Sequence, residues 1–305
     1  MRLKADITLL IVAIIWGSAF VAQRVAGQMG SVYLFNAARY LLAALAVLPL
    51  AIRSNRASSP TGQITNITYP REQYKWMLIA GFLLFLGSAL QQVGVVYTTA
   101  GNAGFITGLY VVLVPVALFI VWREKPHWMS IVAVFLAGVG AFLLSTGGRI
   151  EVRAGDVLVL ISVLFWTFHV IILGKYASKF EAMSFSVGQL LICGILNFGL
   201  GVFIESFPPF SWGLFVAVIY TALFSLGLAY TLQIWAQRHT PPADAALILS
   251  LESVFAVLSG WLFLNEKLVF IQMIGCVLIF IAVVLSQFKE WNSGTMDKNH
   301  LVEGR

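Results

Sequence analysis

Ten stretches of roughly twenty residues, each nearly free of charge, follow one another along the chain at 6–26, 33–52, 75–96, 101–121, 128–146, 155–174, 183–204, 212–236, 243–264 and 268–288. A helix of about that length matches the hydrocarbon thickness of a bilayer. In lipid the backbone must satisfy its own hydrogen bonds, so such runs are helices. Composition closes the alternative: 60% of the 305 residues are hydrophobic and 10% charged, against roughly 25% charged in an ordinary soluble domain. A soluble fold of this size cannot hide so much apolar surface. The expected fold is therefore all-α, an integral membrane protein with ten transmembrane helices.

The net charge of +6 does not point to nucleic acid, because the basic residues stand singly between apolar runs. They read as topology signals, since Lys and Arg collect on the cytoplasmic side. With the N-terminus inside, fourteen of the 19 fall on that side, including Arg2, Lys4, Arg53, Arg123, Lys175 and Arg238. Arg24, Arg149, Arg153 and Lys267 fall outside, and Arg39 falls within a span. This bias places both termini in the cytosol. The long polar segment Arg53 to Gln73 is then cytosolic, which discounts its Asn66-Ile67-Thr68 sequon, and 289–305 reads as a disordered cytoplasmic tail. The start, Met1-Arg2-Leu3-Lys4, mimics a signal peptide but lacks an A-x-A site and reads as a retained first helix. Cys193 and Cys276 lie in apolar runs and suggest neither a disulfide nor a metal site.

An internal repeat decides the architecture. Leu84 to Lys125 lies over Leu226 to Lys267 without a gap, at an offset of 142, matching Gln91 with Gln233, Thr98 with Thr240, and Glu124-Lys125 with Glu266-Lys267. Asp6 and Trp16 share their spacing with Asp156 and Trp166. Two five-helix halves, 6–146 and 155–288, are expected. Five is odd, so the second half is inverted in the membrane, a recurring carrier architecture in which one part rocks against the other.

Trp16-Gly17-Ser18-Ala19-Phe20, the stretch Ala103 to Pro115, Leu251-Glu252-Ser253-Val254-Phe255-Ala256 and the closing Glu124 and Glu266 resemble EamA-type transporters of the drug/metabolite transporter superfamily. The resemblance runs from about Asp6 to Gln287. It implies a carrier of the inner (plasma) membrane with a central cavity between the repeats, often exporting amino acids or related metabolites. The family's usual proline after Leu-Glu is Ser253 here, which removes the reason to expect a kink at that point.

Polar side chains at depth are costly and mark substrate or ion paths. Glu252, well inside its span, could bind a substrate ammonium or exchange a proton; the alternative is a structural partner for a neighbour. His169 shares a helix face with Trp166 and could relay protons, or make one interhelical hydrogen bond. Trp16 and Trp166 could stack on a ring or hold a cation, or simply pack. Gln91, Gln233, Tyr230 and Tyr110, the last matched to Glu252 by the same offset, complete the expected polar and aromatic lining. Arg24, Arg39 and Lys175 are read as anchors that snorkel to the headgroups, Glu124 and Glu266 as loop tethers, and Gly94, Gly101, Gly104 and Gly108 as close helix contacts.

These features describe a secondary carrier of small amphipathic metabolites, amino acids or their derivatives foremost, with protons as the candidate coupling ion. No cofactor is expected, and a monomer suffices. There is no Walker A sequence for ATP, no metal-ligand spacing, and no catalytic motif of a membrane enzyme. A multidrug exporter is the nearest alternative; a membrane enzyme, receptor or scaffold is more distant.

Overall fold

A computed structural model of the chain describes residues 1–57, 71–146, 153–267 and 269–285. The Asn66-Ile67-Thr68 sequon, Arg149 and the tail at 289–305 lie outside the described residues. The described residues form helices joined by short loops, without a strand. Among the described residues, eight helices are long and apolar enough to cross a membrane: α1 (Arg2–Gly27), α2 (Tyr33–Ala57), α3 (Arg71–Val96), α4 (Ala100–Trp122), α6 (Ala154–Lys175), α7 (Ala182–Ile204), α8 (Trp212–Ala236) and α9 (Pro242–Leu264). Two shorter apolar helices, α5 (Trp128–Thr146) and α10 (Phe270–Leu285), follow α4 and α9. Helices α1 and α3 each begin about four residues before the expected apolar run. Their first turns are polar, Arg2 to Asp6 and Arg71 to Lys75, and a helix can continue past the lipid because its backbone bonds do not depend on it.

Many of the large apolar side chains on the outer faces are exposed, among them Ile120, Phe135, Phe203, Phe263 and Phe270. That is the surface a bilayer covers. The interior is tight and built largely on small residues. Helix α2 packs along α7, α3 along α6, α1 along both α8 and α9, and α4 along both α6 and α9. The backbones of α5 and α10 meet at Gly140 and Gly275. Where α4 meets α9, a Cβ at Gly104 would overlap Ala256, and one at Gly108 would overlap Ser253. Glycine there is what lets two backbones approach.

Three helices depart from regularity beside the molecular centre. Helix α4 breaks at Leu109 and α9 at Ser250 and Leu251. The break in α9 occurs without the family's usual proline. Ser253 instead donates to the Gly104 carbonyl at 2.9 Å, and the Ser250 hydroxyl returns to the Leu247 carbonyl at 2.7 Å. Helix α8 widens into a π segment at Thr221–Leu228, a form that concentrates at functional sites. Both α4 and α9 end on a left-handed residue, Arg123 (φ 58°) and Asn265 (φ 54°). The next amides, of Glu124 and Glu266, reach back to the carbonyls of Leu118 and Gly260 at 3.2 and 3.1 Å.

Candidate functional site

Polar contacts tie the two halves of the chain together at both ends of the bundle. At the end where α1 begins, Thr240 donates to Asp6 at 2.9 Å, and Arg2 bridges Asp6 (3.1 Å) and Asp244 (3.0 Å). Lys175 pairs with Glu124 at the same end. At the opposite end Thr98 donates to Asp156 at 2.6 Å, with Asn102 adding a second bond at 3.2 Å. Arg24 pairs there with Glu266 at 2.8 Å. Glu124 and Glu266 thus tether elements as their sequence positions suggested, and the ions of Arg24 and Lys175 are engaged by carboxylates.

Between these ends lies a narrow cavity of about 50 Å³, room for a few waters, so a larger guest enters only as its walls part. The eight residues singled out from sequence, Trp16, Gln91, Tyr110, Trp166, His169, Tyr230, Gln233 and Glu252, all line it. They come from α1, α3, α4, α6, α8 and α9, and the helix irregularities explain how they reach it. Tyr110 is the first residue after the break in α4, and Glu252 the first after the break in α9. The π segment of α8 leaves the Ser225 carbonyl able to accept from Trp16 Nε1 at 2.8 Å. That bond fixes the indole against the Tyr230 ring, with centroids 5.1 Å apart.

An aromatic wall follows. The His169 ring meets Tyr230 edge-on at 5.6 Å and Trp166 at 6.1 Å. His169 is 1% exposed and shares a 3.0 Å hydrogen bond with Gln189 of α7. This is the interhelical bond weighed as its alternative role. Gly87 of α3 lies flat against the Trp166 ring, where a Cβ would come within 3.1 Å.

The rest of the lining is polar and incompletely satisfied. Gln91 Oε1, Thr107 Oγ1, Trp166 Nε1 and both amide atoms of Gln233 are buried and have no hydrogen-bond partner among the described residues, and the Glu252 carboxyl faces the Tyr110 hydroxyl. Each such atom costs about 1–3 kcal/mol. Their convergence on one cavity leaves the wall equipped to hold a polar guest.

Arg39 corrects the sequence reading. It does not snorkel; it is 3% exposed and lines the cavity. Its Nε donates to Asn36 at 3.0 Å and Nη2 reaches Gln23 at 3.5 Å, while Phe35 and Tyr40 cover its faces at 5.1 and 5.2 Å. Its place in sequence held a signal. Arg39 is the seventh residue of α2, about 9 Å from the helix start, and Asn36 precedes it by three, on the same face. Gln23, Tyr40 and Thr107 are further lining residues that pattern alone did not distinguish from packing. Among the described residues no His/Cys/Asp/Glu group is arranged to hold a metal ion.

Comparison with known proteins gives the same class. The model of the EamA-like transporter family matches residues 3–146 and 153–288. A protein of Archaeoglobus fulgidus named an uncharacterized transporter is 34% identical over 284 residues, covering 93% of this chain and 86% of that protein. The Escherichia coli protein named uncharacterized inner membrane transporter YedA is 25% identical over 285 residues, covering 89% and 87%. A solved crystal structure covering 94% of this chain and 99% of its own superposes with a TM-score of 0.74 at 15% identity, which speaks to the fold.

Proposed function

The chain belongs to the EamA-like transporter family, and on that premise we propose that it is a secondary carrier exporting small metabolites, amino acids or their derivatives foremost, by alternating access across the inner membrane. The protein is a multi-span membrane transporter; the substrate, direction and mechanism are our reading. The observation that carries it is the central cavity, whose aromatic wall, unpartnered amide and hydroxyl groups and buried carboxyl suit an amphipathic, zwitterionic guest.

Alternating access rests on the two halves being inverted copies, ten helices in all with both termini cytosolic. Three sets of contacts support that. Thr98 bonds Asp156 while its repeat partner Thr240 bonds Asp6, the repeat partner of Asp156. Glu124 pairs with Lys175 of the other half, and Glu266 with Arg24. Exchanging the halves also maps the packing of α1 on α9 onto that of α6 on α4, and α3 on α6 onto α8 on α1. Such a structure has two equivalent ways to close, one at each end. Glu252 is the candidate proton carrier, because it is a buried carboxyl on the cavity with no cation to hold it ionised, whereas His169 is held by Gln189.

Purified protein in liposomes, offered labelled amino acids, nucleosides and cationic dyes with and without a pH gradient, tests the reading. Counterflow of amino acids is expected. Movement of cationic dyes alone would establish the multidrug alternative, and exchange of none of the three classes would remove the carrier reading.

A further inference from the structure

Arg39 is the one buried Lys or Arg among the described residues. No carboxylate of the described residues pairs with it, whereas Arg2, Arg24 and Lys175 each meet one. Two of its five N–H donors are engaged, by Asn36 and Gln23, and both acceptors are neutral amides. The remaining donors form a planar fork at the cavity wall, the geometry that grips a carboxylate through two parallel bonds. The rings of Phe35 and Tyr40 cover the guanidinium and hold its plane in place.

Glu252 lines the same cavity, its carboxyl facing the Tyr110 hydroxyl and paired with no cation of the described residues. Arg39 and Glu252 form no ion pair, and they meet α1 at different heights. Gly17 packs on the Glu252 backbone, where a Cβ would lie 2.6 Å from its carbonyl, while Arg39 reaches Gln23. Six residues along a helix is about 9 Å. Trp16, Tyr230 and Gln91 occupy the cavity wall with them.

We infer that Arg39 is the carboxylate-binding residue of the cavity, so that substrates carry a free monoanionic carboxylate at one end and an ammonium facing Glu252 at the other. The inference rests on the cavity being the substrate site proposed above and names what that site selects. A single cation opposite an acid suits a monoanion; a phosphate dianion would meet Glu252 with its excess charge. A purely cationic guest would face the buried guanidinium.

The test is ligand-induced thermal stabilisation of the purified full-length protein in detergent, using the twenty amino acids and, for leucine, phenylalanine and threonine, the matched carboxamides and decarboxylated amines. At least one of the three acids is expected to stabilise wild type with an apparent affinity about 10- to 100-fold above that of its amide. Arg39→Gln should erase that preference, and Arg39→Lys, which keeps the charge but loses the fork, should retain a reduced one. Equal response to acid and amide in wild type overturns the inference, whether or not the variants fold, as does an Arg39→Gln protein that elutes as a single species and keeps the preference. Counterflow of the same compounds separates the two readings. Carboxylate-selective, Arg39-dependent binding without transport would break the carrier proposal and leave Arg39's role standing. Transport indifferent to the carboxylate would do the reverse.

Discussion

The reciprocal Thr–Asp contacts at the two ends of the bundle invite a pair of opposite perturbations. Thr98→Val is nearly isosteric and removes one bond, the 2.6 Å donation to Asp156. The carboxylate keeps Asn102 at 3.2 Å and the Arg153 amide at 2.8 Å. A hydrogen bond to a charged group contributes about 1.5–3 kcal/mol net. With two partners retained, the loss belongs at the low end, about 1.5 kcal/mol or tenfold in an equilibrium. Thr240→Val removes the longer 2.9 Å bond to Asp6, which keeps Arg2 at 3.1 Å and is more open to solvent. The effect there is smaller, about 1 kcal/mol or fivefold. If these bonds hold opposite ends shut, the two substitutions shift the population in opposite senses. The readout is the labelling rate of a cysteine replacing Thr107 on the cavity wall, with Cys193 and Cys276 replaced by alanine, using a membrane-impermeant maleimide. Thr98→Val should raise labelling from outside up to tenfold and lower it from inside; Thr240→Val should do the opposite. Changes of the same sign, or none from either side, would refute the assignment of these contacts as closures.

Three further outcomes follow from the site and its frame. Gly104→Ala should cost about 1–3 kcal/mol of stability by overlap with Ala256, seen as a lower unfolding temperature in detergent, and Ala256→Gly should restore most of it in the double variant; additive losses would show that the α4–α9 contact is not the cause. Glu252→Gln should weaken exchange at symmetric pH, because the substrate ammonium loses its partner, and abolish accumulation driven by a pH gradient; unchanged pH dependence would remove Glu252 as the coupling group. His169→Phe breaks the bond to Gln189 and leaves its buried amide unpaired, so it should lower stability by about 1–3 kcal/mol while the pH profile of transport stays as in wild type. A shifted profile would return His169 to the proton path.

The helical architecture was legible because lipid imposes one rule on every span, an apolar run long enough to cross it. The same rule hides what lies inside. Helix starts at Arg2 and Arg71 extended beyond the apolar runs, since hydropathy reports where lipid ends and not where a helix does. The cavity lining was readable at Trp16, Trp166, Gln91 and Gln233 because the repeat picked them out twice. Arg39 escaped because position near a helix end suggested snorkelling. Its side chain instead follows Asn36 of its own helix and Gln23 of α1 inward, and the second of these neighbours has no local sequence signal. The break in α9 was equally invisible: the residue expected to cause it is Ser253, and the bend depends on Ser253 bonding the Gly104 carbonyl of α4. Tertiary contacts of this kind have no local periodicity to announce them.

The central claim is that one cavity serves both sides of the membrane in turn, and trans-acceleration measures that directly. Liposomes containing the purified protein are loaded with a labelled amino acid that stabilises it, and its efflux is followed with and without the same unlabelled compound outside. An alternating-access carrier returns faster when loaded, so efflux should rise several-fold and saturate with the outside concentration. Efflux that ignores the outside compound would contradict a single cavity exposed alternately to each side.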